Sequence, residues 1–305
     1  MSNRRLKSRF QSLPLLFFIF LCLAVSGFAQ DDEEIVKVES SVVVLNATIT
    51  DAKGKAVSQL NKSKFRIFED GIEQKIEFFE TAETPFAAVI LLDTSGSMEQ
   101  RVSLARSATI NFLDGLRPDD SAAIYNFDSQ VSLVQDFSNS RDVAPAVFDL
   151  KAEGVTVLND AIFKAAQELS RRSEKRKAII VLSDGADTRS KFTAGKALKA
   201  ALAADTTIYT VDMSSADANN RERMQSRSAL KNFAEKTGGL FVATPGGVAM
   251  REAFKNIVRE LGTQYTLGYQ PTNLKKDGKW RALELKVSQP NLTIRTRKGY
   301  NAQNK

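Results

Sequence analysis

No histidine occurs anywhere in the 305 residues, and the one cysteine, Cys22, lies in an apolar stretch near the start. These absences remove whole classes of chemistry. Ser-His-Asp and Cys-His catalysis lack their imidazole, and zinc sites of the Cys/His kind lack their ligands. A lone cysteine forms no intrachain disulfide, so stability has to come from buried apolar surface. The chain is long enough to bury one large core and a small second one. Positive charge is also scarcer than the formal +7 suggests. Arg4, Arg5, Lys7 and Arg9 lie in the first 29 residues with no acid among them, which leaves +3 for the remainder. Nucleic-acid binding needs a clustered basic face. The densest run, Arg171-Arg172-Ser173-Glu174-Lys175-Arg176-Lys177, falls between a helix and a strand. It reads as a solvated helix C-terminus, where cations suit the macrodipole, and no nucleic-acid partner is expected.

What is present begins with a leader. The four cations make a positive n-region, Leu13 to Val25 an apolar h-region, and Ser26-Gly27-Phe28-Ala29 a small-residue cleavage site. Residues 1–29 therefore read as a signal peptide whose removal leaves Gln30 first and places the protein in the periplasm or outside the cell. The h-region is short for a bilayer span, so no stable membrane span is expected after cleavage. An uncleaved signal anchor is the alternative.

Two β-rich segments flank a central unit. Residues 36–82 hold Val42 to Leu45, Ala47 to Thr50, the turn Asp51 to Gly54, the alternating Phe65 to Glu69, the hairpin signal Asp70-Gly71, and Lys75 to Phe79. Residues 262–300 repeat the character in Tyr265 to Tyr269, Leu283 to Val287 and a last strand at Leu292 to Arg297. Each segment has too few strands to stand alone. The expectation is one small β-sandwich built from both ends, with Leu45, Ile67, Phe78, Leu285 and Ile294 in a shared core.

Between them, residues 85–261 alternate strands and helices at the spacing of a parallel sheet. Leu104, Ala108, Phe112 and Leu116 mark one helix face; Leu158, Ile162, Ala165 and Leu169 mark another. The apolar run Val89 to Leu92 reads as a strand buried on both faces. It ends in Asp93-Thr94-Ser95-Gly96-Ser97, at the carboxyl edge where open α/β sheets bind ligands. Asp93, Ser95 and Ser97 offer only oxygen, the donor that hard cations prefer, and Thr94 is expected to point away. Two further stretches stand out: Glu153 to Asp160, containing Gly154-Val155-Thr156, and Val181-Leu182-Ser183-Asp184-Gly185. Each alone also fits a helix cap or a turn. All three follow one another in a fixed order.

That order resembles the von Willebrand factor A family. An Asp-x-Ser-x-Ser loop, a threonine from a second loop and an aspartate after a later strand form its metal-ion-dependent adhesion site (MIDAS). The resemblance implies a doubly wound, mostly parallel, Rossmann-like α/β sheet with one antiparallel edge strand. It implies a divalent cation on Asp93, Ser95, Ser97, Thr156 and Asp184: Mg²⁺, with Mn²⁺ or Ca²⁺ as alternatives. It further implies a partner protein that offers a carboxylate to that cation. The flanks are similar to exported A-domain proteins described from acidobacteria and related bacteria, in Asp51 to Gly54, Phe65 to Gln74 and Arg297-Lys298-Gly299-Tyr300.

The functional expectation is a non-catalytic, adhesion-type binding module. A metal-assisted hydrolase at the cell envelope is one alternative, but Asp160 and Asp187 read as surface or helix-start acids rather than a tuned general base. A purely structural metal is the other.

Overall fold

The computed structural model describes residues 42–302, apart from 82–83, 143–144, 152–153, 215–219 and 244–246. The leader lies outside the described residues. The chain enters through β1 (Val43–Thr50), β2 (Phe65–Glu69), β3 (Ile72–Gln74) and β4 (Ile76–Glu80). Asp70 and Gly71 both have positive φ, 48° and 83°, and join β2 to β3 in a two-residue hairpin.

The central unit then runs β5 (Phe86–Asp93), α1 (Val102–Asp114), β6 (Ser121–Phe127), β7 (Val131–Ser138), α2 (Leu158–Ser170) and β8 (Arg176–Ser183). It continues with α3 (Ala194–Ala203), β9 (Thr206–Asp212), α4 (Asn220–Thr237), β10 (Phe241–Val242) and α5 (Gly247–Thr263). Its sheet has the order β10-β9-β8-β5-β6-β7, parallel throughout except for the antiparallel edge strand β7. All eight residues of β5 are buried, as a strand covered on both faces requires. Ala88, Ile90 and Leu92 face one core with Phe112 of α1 and Phe254 of α5. Ala87, Val89 and Leu91 face a second core with Ile162 of α2, Ala197 of α3 and Phe233 of α4. The expected α/β class and doubly wound sheet are what the chain adopts.

The chain leaves through β11 (Tyr265–Tyr269), β12 (Trp280–Val287), β13 (Thr293–Arg295) and β14 (Gly299–Asn301). Two four-stranded sheets result, β13-β1-β11-β4 and β14-β12-β2-β3, each mixing strands from both ends of the chain. They share a core of Leu45, Ile49, Phe65, Ile67, Tyr265, Leu267, Leu283 and Leu285, with Ile294 packed at its margin. Glu69 is buried here and accepts hydrogen bonds from the Tyr269 hydroxyl at 2.5 Å and the Tyr300 hydroxyl at 2.8 Å. Two sequence strings far apart in the chain thus meet at one acid.

Three expectations need correction. Phe78 is only half-buried and lies outside the shared core, where Phe79 packs instead. The cause is a bulge: Tyr269 pairs with Ile76 and Gly268 with Phe78, so Glu77 is an extra residue that reverses the alternation. Second, the strand at Leu292 to Arg297 is not the last; it shortens to Thr293–Arg295, and β14 follows it. Third, Arg176 of the basic run is fully buried rather than solvated. Its guanidinium donates to Thr266 Oγ1 at 3.0 Å, to Leu261 O at 3.2 Å, to Thr81 O at 2.7 Å and to Gln264 O. It thereby caps the carboxyl end of α5 and binds β8 to β11. Arginine suits this place because its planar fork reaches several carbonyls at once.

Candidate functional site

Strand β5 carries Asp93 to the carboxyl edge of the sheet and leaves it with no exposed surface. Its Oδ1 accepts from the Ser95 backbone N–H at 2.9 Å and from Ser95 Oγ at 2.6 Å. Its Oδ2 accepts from Ser183 Oγ at 2.5 Å. Burial pushes the Asp93 carboxyl up to about 6, against the pull of the Ser183 and Ser95 hydrogen bonds; the nearby Asp184 charge pushes the same way as burial. Ser97 Oγ lies 3.2 Å from Ser95 Oγ. Thr94 turns back to β6, donating from Oγ1 to Phe127 O at 3.3 Å and accepting from Asn126 Nδ2 at 3.2 Å.

The second and third loops are braced against the first and against each other. Gly96 N–H donates to Gly154 O at 3.3 Å, and Gly154 holds φ +78°. Thr156 is buried; its N–H donates to Thr188 Oγ1 at 3.0 Å, and its carbonyl accepts from Thr188 N–H at 2.9 Å. Asp184 is half-buried, and its Oδ1 accepts from Ala186 N–H at 3.0 Å. The next residue, Gly185, holds φ +82° and passes so close to α4 that a Cβ would come within 2.6 Å of Ser226 O. Only glycine fits both demands.

Asp160 and Asp187 are occupied in the same bracing. Asp160 accepts from the N–H groups of Lys191 and Phe192 at 3.0 and 2.9 Å. Asp187 accepts from Asn159 N–H at 2.8 Å and Ser190 Oγ at 2.7 Å. Both carboxylates fix the loop after β8 onto the start of α2.

Ser95, Ser97, Thr156 and Asp184 line one open pocket of about 500 Å³. Asp93 does not line it; its carboxylate lies behind Ser95. Further walls come from Thr188 and from Ser214, Arg223 and Ser226, the last two on α4. Two contributors were missed from sequence. Ser183 sits beside Asp184 at the strand end and grips Asp93 from below. Ser214 belongs to Asp212-Met213-Ser214, which repeats at the end of β9 the Asp-x-Ser spacing of Asp93 and Ser95. The local bond repeats too: Ser214 N–H donates to Asp212 Oδ1 at 2.9 Å. That repetition after an apolar strand was the available signal.

Residues 88–186 match the family model of the von Willebrand factor type A domain. This stretch is similar to von Willebrand factor type A domains. An uncharacterized protein of Synechocystis sp. is 33% identical over 106 residues, covering 33% of this chain and 25% of its own length. The chain thus spans about a quarter of the curated relative it matches. Among solved structures, a von Willebrand factor type A protein from Catenulispora acidiphila superposes with a TM-score of 0.50 at 14% identity, over 85% of this chain and 73% of the other. The pilus adhesin SpaC from Lactobacillus rhamnosus GG, in its open conformation, gives 0.50 at 10% identity, over 80% and 48%. At these identities the likeness is one of fold. Among the described residues, no group of three or more His, Cys, Asp or Glu is placed to hold a metal ion. A cation at the A-domain pocket would have to use hydroxyl oxygens as well as carboxylates.

Proposed function

We propose that this chain is an exported binding module that holds a divalent cation in the pocket at the end of β5 and grips an acidic side chain of a partner protein there. The donor set fits a hard cation. Ser95, Ser97, Thr156 and Asp184 all present oxygen to one pocket. Asp93 accepts a hydrogen bond from the Ser95 hydroxyl, which leaves the lone pairs of that hydroxyl for the pocket, and its carboxylate supplies a second negative charge behind it. With Asp184 the site carries two acids, enough to balance a divalent charge. Mg²⁺ is the reading, with Mn²⁺ or Ca²⁺ as alternatives. A cation held there supplies a coordination position that a carboxylate oxygen of the partner can take.

The observation that carries the proposal is the convergence of three separated loops on this pocket. The reading is a binding module rather than a metal-assisted hydrolase, because Asp160 and Asp187 are committed to backbone N–H groups and neither serves as a general base. Titration calorimetry of Mg²⁺ into wild type, Asp93→Ala and Thr156→Ala tests it. Asp93→Ala removes one of two balancing charges and lowers affinity by orders of magnitude. Thr156→Ala removes a neutral oxygen and costs less. Equal affinity in all three proteins would refute the assignment. Export rests on the leader. Among the described residues no helix is long and apolar enough to cross a membrane.

A further inference from the structure

The A-domain pocket holds one hydroxyl that the cation reading does not use. Ser214 is 3% exposed, it lines the pocket, and among the described residues its Oγ has no hydrogen-bond partner. A buried hydroxyl left unpaired is costly and calls for an explanation. Its position is rigidly set. Ser214 N–H is held by Asp212, Asp212 is fully buried with Arg227 Nε at 3.1 Å, and Met213 N–H donates to Ser183 O at 2.9 Å. The side chain therefore does not lie where it does through a loose loop.

The surroundings of Ser214 differ in kind from those of the other pocket hydroxyls. Ser95 spends its proton on Asp93 and faces the pocket as an acceptor. In the sheet order, β9 lies beyond β8 as seen from β5. Ser214 thus flanks Asp184 on the side away from Asp93 and Ser95. The wall there is made by Arg223 and Ser226 of α4, a cation and a hydroxyl rather than acids. Ser214 thus stands between the pocket and the buried Asp212 carboxylate, which takes its N–H and leaves its hydroxyl without a partner among the described residues.

Resting on the cation reading above, we infer that Ser214 is a specificity-determining residue, which donates its hydroxyl proton to a carboxylate oxygen of the partner's acidic side chain. The cation takes one oxygen of that group and Ser214 the other. The unpaired hydroxyl is then a pre-placed donor whose desolvation is already met in the folded protein, so it strengthens binding without further ordering.

Mn²⁺ and acetate are the probes. Calorimetry gives Mn²⁺ affinity, and water-proton relaxation of the Mn²⁺-loaded protein follows acetate as it displaces bound water. Ser214→Ala weakens acetate binding about tenfold, the scale of a hydrogen bond to a charged group. It leaves Mn²⁺ affinity within about twofold of wild type by the same reasoning, because the hydroxyl serves the anion. Ser214→Thr keeps the hydroxyl and restores acetate binding. The melting temperature of Ser214→Ala in EDTA does not fall, because no existing hydrogen bond is lost. Unchanged acetate affinity in Ser214→Ala overturns the inference. A parallel loss of Mn²⁺ affinity also overturns it, by moving Ser214 to the cation. Wild-type protein that binds no Mn²⁺ refutes the cation reading itself, a different result from either.

Discussion

Arg176→Met isolates what one buried guanidinium does for the fold, since methionine keeps much of the stem and removes every donor. The lost partners are Thr266 Oγ1, Thr81 O, Leu261 O and Gln264 O, with weaker contacts to Gly262 O at 3.4 Å and Thr84 O at 3.5 Å. Leu261 O and Gly262 O belong to the last turn of α5, where carbonyls have no intrahelical donor. Each buried acceptor left unpaired costs about 1–3 kcal/mol. Against this stands the relief of no longer burying a cation: burial first, then the Arg117 charge, pushes the Arg176 guanidinium down to about 10 from 12.5. That shift is equivalent to about 3 kcal/mol. Thr81 is exposed and its carbonyl can turn to water, so three buried acceptors at the middle of the range, less this relief, leave a net loss of about 3 kcal/mol. Urea unfolding followed by far-UV circular dichroism measures it. Arg176→Lys keeps the charge but not the fork and should lose about half as much. A loss below about 1 kcal/mol for Arg176→Met would refute the view that this side chain bolts β8 to α5 and β11, since surface changes fall in that range.

Cation-free protein should show the weakened acidity of Asp93. Its folded value, about 6, exceeds the ordinary 3.8, so the folded state holds the proton more tightly. The stability this group adds is present below about pH 4 and is lost as pH rises through about 6, roughly 3 kcal/mol in all. Urea unfolding in EDTA of wild type against Asp93→Asn checks this, and a pH-independent difference would count against it. Mg²⁺ affinity should fall on acidification below about pH 6, as proton and cation compete for Asp93. Gly268→Ala places a Cβ 1.7 Å from a Phe78 ring carbon; it should cost about 1–3 kcal/mol by overpacking, and Gly268→Ala with Phe78→Leu should recover part of that in thermal unfolding. Protein recovered from a Gram-negative periplasm should begin at Gln30 by mass spectrometry, and an intact Met1 in the membrane fraction would favour a retained anchor.

The fold was legible where side-chain periodicity and burial agree. Strand β5 is apolar because both faces are covered, and a run from Val89 to Leu92 says so without help from its neighbours. The hairpin at Asp70-Gly71 was legible because two successive positive φ values favour just those residues. Phe78 was misread because a bulge leaves no composition signal in its own strand: Glu77 is extra only with respect to Tyr269 and Gly268, nearly two hundred positions away. Arg176 was misread because a charge run looks the same whether its last cation meets water or a helix end. At the pocket, the residues of the three loops could be named since each loop has its own short pattern. Ser183 could not, because a serine beside an aspartate says nothing about which way its hydroxyl turns, whereas Ser214 had a signal in the Asp-x-Ser spacing that went unused.

The interleaving of the two outer sheets sets a timetable for synthesis. Val43 of β1 pairs with Tyr269 of β11, and Phe65 of β2 pairs with Val287 of β12. At the ribosome the first strands therefore emerge long before their neighbours exist, while β5 to α5 can close around their own core in order of appearance. Until β11 and β12 arrive, β1 has no neighbouring strand and β2 only its hairpin partner β3, the state most open to pairing with the wrong chain. A chaperone that holds the nascent amino end would act in that interval, and slow translation after α5 would lengthen it.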